Sequence, residues 1–373
     1  MWVQRLLFGF PWLPPAIHEF NHLLISIKPV FFVVMFNVFK HQSFSIDLGN
    51  NNTLLASADR MLLAQPSYIV FNANHSVKAV GDEAFEMFEK THDNLTPVKP
   101  LKGGVIADFN SASTMLREMV NRAYSKRSFL SGFDHIISGV PYYTTEVERR
   151  ALRDALEQFN PRKRSLLFEP LAAAIGMDLN IQEPDGKLVI DIGGGITEIV
   201  IISLSGVAAF QSLKVAGDTF DTNIQDYFRR NYNMAIGLKT AEQIKIKIGA
   251  ACETIDPAPD EVSVKGKDMV TGIPVTRKVD HREVAFILEK SISSIERSVV
   301  QTLETCPPEL AADIYQNGMY LTGGGSLLRG IKDRFEKNIK LPVHLDEHPL
   351  SSVSRGIARV LANPKKFSGV LID

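Results

Sequence analysis

Residues 187–203 read KLVIDIGGGITEIVIIS, and residues 42–57 read QSFSIDLGNNNTLLAS. Each is an apolar run broken by Asp-x-Gly and a few small or amide residues, then Thr and a second apolar run, a pattern that predicts strand, tight turn and returning strand. A turn with small residues at its tip exposes successive backbone N–H groups, and such a nest holds anionic oxygens, usually phosphate. Gly49 with Asn50, Asn51 and Asn52 would form one cradle, and Gly193, Gly194 and Gly195 the other. One Asp-x-Gly is ordinary hairpin chemistry. Two in matching places suggest opposed cradles that pinch one polyphosphate. A bare carboxylate beside phosphate would repel it, so Asp47 and Asp191 call for a cation between them and the ligand. Mg²⁺ that keeps most of its waters suits few protein carboxylates. The expected ligand is a Mg²⁺-nucleotide.

The duplication extends outward from these turns. From Phe44 the order is strand, turn, strand, a third strand near SYIVFN (67–72) and a helix in GDEAFEMFEK (81–90); from Lys187 the same order returns. Both halves enter that helix through Gly-Asp, at Gly81-Asp82 and Gly217-Asp218. Residues 133–159 and 317–339 each read as a buried strand, a glycine turn and an amphipathic helix. SLLFEPLAAAIGMDL (165–179) and LPVHLDEHPLSSVSRGIARVL (341–361) each read as a short strand, an acid, Pro-Leu and a helix of small residues. Two long units argue for internal duplication rather than a solenoid. The expected fold is α/β: two similar domains with partly parallel sheets covered by helices, each carrying a smaller inserted subdomain, around one cleft.

Composition sets outer bounds. The chain has 373 residues, 45% of them apolar, too long for one ordinary core. Lys plus Arg total 41 against 42 for Asp plus Glu, so no global field attracts nucleic acid. Cys252 and Cys306 form no CxxC or Cys/His cluster, which excludes a zinc site or a disulfide framework and suits a reducing, cytosolic setting. Residues 1–43 differ from the rest, being apolar, aromatic and broken by proline. Their longest apolar stretch, Leu23 to Phe39, is interrupted by Lys28 and Pro29 and falls short of the roughly 20 residues a span requires. This reads as a peripheral membrane-touching leader or as a segment upstream of the true start, with Met35 an alternative initiator.

Two further features bear on chemistry. LTGGGSLLRG (321–330) places Gly323, Gly324 and Gly325 between a strand and a helix, where free N–H groups favour an anion or a closely approached flat ring. Glu169 stands before Pro170 at the head of a small-residue helix. There an acid is stabilised by the helix dipole, or it orients or deprotonates a water that attacks a terminal phosphate, with Thr197 helping to place it.

IDLGNNNT, GVIADF, GVP, FEPLAAAIG, VIDIGGGITEIVIISL, VAGD, GLKTAEQIKIKIG and LTGGGSLLRG, in this order from about Phe44 to the C-terminus, together resemble the actin and sugar-kinase ATPase superfamily. Within it they are similar to the bacterial rod-shape family MreB. The resemblance implies an actin-like fold of duplicated ribonuclease-H-like domains. Subdomain IA would take 44–70, 104–183 and 353–373, IB 71–103, IIA 184–219 and 284–352, and IIB 220–283. It implies ATP and Mg²⁺ in the cleft, weak ATP hydrolysis coupled to polymerisation, and membrane-attached filaments that guide lateral cell-wall synthesis. Implied partners are other copies of the chain, the inner face of the cell membrane, the wall-elongation machinery and membrane-anchored shape proteins, with a cytoplasmic location.

Carried over by position, Asp47 and Gly49 to Thr53 resemble the first phosphate loop; Asp191, Gly193, Gly194, Gly195, Ile196 and Thr197 resemble the second. Glu169 and Thr197 match the family's water-positioning pair, and Glu242 and Lys245 match residues lining the nucleoside. Phe129 and Leu130, beside Lys126 and Arg127, match a loop that carries apolar residues into the bilayer. Departures occur at the chemistry. The family's Gly-Thr-Ala-Asn-Thr is Gly49-Asn50-Asn51-Asn52-Thr53 here, its Glu-Glu-Pro is Phe168-Glu169-Pro170, and Ile196 replaces a Thr. The alternatives on the same cleft are a soluble sugar or acetate kinase, which would deploy a catalytic Asp, and a chaperone ATPase, which would be expected to continue past Asp373 into a substrate-binding extension.

Overall fold

The computed structural model describes residues 42–90, 92, 94–125 and 132–373. The expected leader lies outside these, except that Gln42 and Ser43 already belong to the first strand, Gln42–Leu48. Phe129 and Leu130 lie outside them too.

Two sheets carry the duplication. In the first, Met61–Pro66, Asn52–Ala56, Gln42–Leu48, Phe133–Val140 and Pro161–Phe168 lie side by side, with Leu371–Ile372 added at the edge. In the second, Gly206–Leu213, Thr197–Ser203, Lys187–Ile192, Met319–Thr322 and Val343–Leu345 follow in the same order. In both sheets the first three strands form an antiparallel meander and the next two run parallel to the first strand of the chain segment. The central strands are apolar on both faces, as sheets covered by helices require.

The third strand of the first half is MLLAQP, not SYIVFN. Ile69–Asn72, from the latter stretch, instead opens a separate small sheet with Val77–Val80 and Leu95–Val98. MLLAQP lacks β-branched residues, and only its pairing with the phosphate-loop hairpin makes it extended. Gly324–Leu327 forms a single 3-10 turn, and the helix expected after the glycines begins later, at Ile331–Ile339. The matched Gly-Asp pairs also diverge. Gly81-Asp82 opens a short outer helix, Asp82–Met87, whereas Gly217 and Asp218 open the 16-residue helix Gly217–Tyr232 against the second loop.

The halves meet through the two small-residue helices, Glu169–Gly176 and Ser352–Ala362. Side chains at Gly176 and Gly356 would run into the backbone of the facing helix, at the Ser352 and Ala172 carbonyls, so glycine permits this close crossing. Val189, Val200 and Ile202 of the second sheet share one apolar core with Ile137 and Leu167 of the first and with these helices. Burying that shared surface is the main force holding the halves together. Arg355 and Arg359 seal the helix pair by donating to the Gly176 carbonyl, and Arg355 also pairs with the buried carboxylate of Asp346 at 2.7 Å.

Candidate functional site

Each sheet ends in a hairpin turn at the cleft. In the first, Leu48 pairs with Thr53 and Asp47 with Leu54; in the second, Ile192 pairs with Thr197 and Asp191 with Glu198. Asp47 and Asp191 thus occupy equivalent places, one residue inside the hairpin end. The turns face each other so closely that their surfaces interlock. A methyl group on Gly194 would lie 2.8 Å from Cγ of Asn51, and one on Gly195 would lie 2.8 Å from Cγ of Asn50.

Around the turns is a cavity of about 440 Å³. Asp47, Gly49, Asn50, Asn51, Asn52, Asp191, Gly193, Gly194, Gly195 and Ile196 all line it. Glu169, Glu242, Lys245, Gly323, Gly324 and Gly325 do so as well. Residues scattered over nearly 280 positions of the chain therefore share one wall. Ile246, Leu327, Leu328 and Leu350 add apolar surface to the lining, of a kind suited to a flat ring. Sequence reading missed these side chains because they come from separate stretches of the chain, and only the fold brings them to one wall.

Thr53 and Thr197 do not line the cavity. Both are fully buried: the Thr53 hydroxyl pairs with that of Ser67 at 2.9 Å, and the Thr197 hydroxyl donates to the Val215 carbonyl at 2.7 Å. Each sits at the closing pair of its hairpin, Thr53 opposite Leu48 and Thr197 opposite Ile192, and alternation turns its side chain away from the face that its predecessor presents. In the second loop that predecessor is Ile196, so the position facing the cavity carries no hydroxyl.

The floor of the cleft is acidic. Burial, with Asp191 beside it, pushes the Asp47 carboxyl up to about 7, and burial alone takes Asp191 to about 6. Glu169 is raised well above the usual carboxylate range by burial and then by Glu198, Asp47 and Asp191. Glu198, which sequence reading also missed, is raised to about 8 by burial against the stabilising Tyr142 backbone N–H, which donates to its Oε1 at 2.8 Å. Desolvated acids this close to one another favour a bound cation. Among the described residues no group of three or more His, Cys, Asp or Glu converges to hold a metal directly. The oxygen-only donor set therefore fits a hard cation reached largely through water.

Polar contacts bridge the two halves at the phosphate-loop end. Asn50 Nδ2 donates to Asp218 at 2.5 Å, and Lys99 Nζ reaches Asp218 at 3.0 Å and Asn51 Oδ1 at 2.6 Å. Lys245 spends its ammonium on Asp221 at 2.9 Å and on the Gly217 carbonyl at 3.1 Å, anchoring the helix Leu238–Ile248.

A family model described as MreB/Mbl protein matches residues 41–369. The chain belongs to the MreB/Mbl family. The cell shape-determining protein MreB of Escherichia coli K12 is 39% identical over 323 residues, 85% of this chain and 92% of that protein. The cell shape-determining protein Mbl of Bacillus subtilis 168 is 38% identical over 324 residues, 86% and 96% of the two chains. Among solved structures, MreB5 of Spiroplasma citri bound to ADP superposes with a TM-score of 0.82 at 33% identity, covering 89% of this chain and 98% of that one. The AMPPNP-bound form of MreB5 has the same TM-score at 34% identity, covering 88% and 98%. The fold of this MreB/Mbl chain is accordingly actin-like. No helix among its described residues is long and apolar enough to cross a membrane.

Proposed function

We propose that this MreB/Mbl chain binds ATP with Mg²⁺ in the cleft, hydrolyses it slowly, and assembles into filaments on the inner face of the cell membrane that set rod shape by guiding wall synthesis. The observation that carries the nucleotide reading is the pair of facing turns with buried carboxylates beside them, in one cavity that also has apolar lining. Support comes from MreB5, which binds ADP and AMPPNP on the same fold. Support for the cellular role comes from relatives named cell shape-determining proteins.

In this reading backbone N–H groups of Gly49–Asn52 and of Gly194 and Gly195 hold the phosphates, the Gly193 N–H being spent on the Ile196 carbonyl at 3.0 Å. Glu242 accepts from ribose hydroxyls, and Ile246, Leu327 and Leu350 enclose the base. Asp47 and Asp191 would hold Mg²⁺ through water; when bound, it neutralises phosphate charge. Glu169, whose carboxyl is raised by burial and then by its acidic neighbours, lies in the same cavity and would orient or deprotonate the attacking water. Ile196 offers that water no hydrogen bond, so hydrolysis is slow. Filament formation multiplies weak membrane contacts, such as the expected Phe129 and Leu130 pair, into stable attachment.

The test is sedimentation and phosphate release with Mg²⁺-ATP. Concentration-dependent pelleting is expected, with release falling about 10²- to 10⁴-fold in Glu169→Gln while nucleotide affinity holds. Protein that stays in the supernatant at every concentration and phosphorylates a sugar would replace this reading with the kinase one.

A further inference from the structure

The helix Leu238–Ile248 carries Glu242 and Lys245 into the cavity, yet its own N-cap, Gly237, supplies no side-chain acceptor for the first backbone N–H groups. Those groups are satisfied from the other half of the molecule. The carboxylate of Glu89 accepts from Leu238 N at 2.7 Å and from Lys239 N at 3.2 Å. Glu89 belongs to the small sheet-and-helix unit of the first half, just after the helix Asp82–Met87.

Three features show that this contact is built into both partners. A methyl group on Gly237 would lie 2.3 Å from Glu89 Oε2, so the glycine makes the room that the carboxylate fills. Glu89 itself sits at φ 64, a left-handed conformation that costs a non-glycine residue about 1 kcal/mol or more and persists where surrounding contacts hold it. The helix before it is pinned by Tyr68, whose ring packs on Phe85 and Phe88 at 5.2 and 4.9 Å. On the far side Lys239 lies over the Phe85 ring at 4.4 Å and reaches Glu86 at 3.0 Å.

We propose that Glu89 is a positioning residue for the nucleotide cleft: by capping, across the cleft mouth, the helix that carries Glu242 and Lys245, it sets how fast bound nucleotide leaves. The inference rests on the nucleotide reading above. A carboxylate at a helix N-terminus is favoured by the unpaired N–H groups and by the dipole. Here that preference acts between halves. Separating them to release a ligand strips the cap from the helix, so the cap energy adds to the opening barrier. The Glu86–Lys239 pair adds less, because Glu86 is two-thirds exposed.

The experiment is stopped-flow release of mant-ADP with Mg²⁺ from the full chain, paired with amide hydrogen exchange at residues 238–240 without nucleotide. Glu89→Ala is expected to release the probe about 3- to 10-fold faster and to raise exchange at the helix start. Glu89→Gln, which keeps an acceptor oxygen and guards against a folding artefact, is expected to recover most of both effects, and Lys239→Ala to change release by less than Glu89→Ala. Unchanged release in Glu89→Ala, or faster release with unchanged exchange at the helix start, overturns the proposal. Wild-type protein that fails to bind mant-ADP at all overturns the nucleotide reading and the release claim with it, while the exchange measurement still reports whether the cap exists.

Discussion

The first phosphate turn fills its tip with three amide side chains, and the second leaves its tip bare with three glycines. They come from equivalent hairpins with an aspartate at the same register, yet they do opposite work. The first contributes substance: Asn50 and Asn51 reach over to Asp218 and Lys99 of the bridging cluster. The second contributes space, since Gly194 and Gly195 lie under those amides with no room for a methyl group. A duplicated motif facing itself across a cleft cannot stay symmetrical, because both copies would claim the same volume. The Gly-Asp pairs diverge for a related reason. Asp82 is exposed and held by Gln65, whereas Asp218 stands at the cleft, one turn before the buried Asp221.

The most direct way to break this comparison is to fill the bare turn. Gly195→Ala is expected to lower stability by about 1–3 kcal/mol in urea unfolding, through overpacking against Asn50. Asn50→Ala loses the bond to Asp218 but should cost less in the Gly195→Ala background than in the wild type, because the two changes share one space. An equal cost in both backgrounds would mean that the turns do not interlock.

The buried acid of the second half offers a measure of similar or smaller size. Burial pushes the Asp221 carboxyl up to about 6 against the opposing pull of Lys245. A raised acid binds its proton more tightly in the folded state, so its contribution to stability falls as pH rises from about 4, its unfolded value, through about 6. Asp221→Asn should flatten the decline in stability across that window, by about 2 kcal/mol. An unchanged slope between pH 4 and 6 would show that Asp221 stays as acidic in the fold as in the open chain.

The smallest effects sharpen the reading of the second turn. Thr197→Val should cost about 1 kcal/mol of stability by losing the bond to the Val215 carbonyl, while phosphate release per bound nucleotide stays constant. Ile196→Thr should increase phosphate release, since it adds a hydroxyl on the face that lines the cavity. If the first change slows release and the second does nothing, Thr197 reaches the cleft in the working protein after all.

Much of the architecture was legible beforehand. The apolar run of KLVIDI and the alternation of QSFSIDL, the paired Asp-x-Gly turns and the two small-residue helices follow from local chemistry, and they suffice to predict two like domains around a cleft. Less was legible at the site. MLLAQP carries no strand signal of its own, because its extended form comes from its neighbour and not from its residues. Glu198 looked like one polar residue in an apolar strand, and its significance depends on Glu169 and Asp191 lying next to it.

The amino-acid order by itself determined where strands begin and turn, which acids precede each turn, and that the plan is used twice, because these depend on interactions between residues a few positions apart. Only the tertiary structure decided that Ile196 and not Thr197 faces the cavity, that Asn50 lies over Gly195, and that Glu89 caps a helix 149 residues away. A hairpin has two faces of equal local merit, and a helix start accepts any carboxylate that reaches it. The packing of one half against the other selects among these, and no local pattern encodes it.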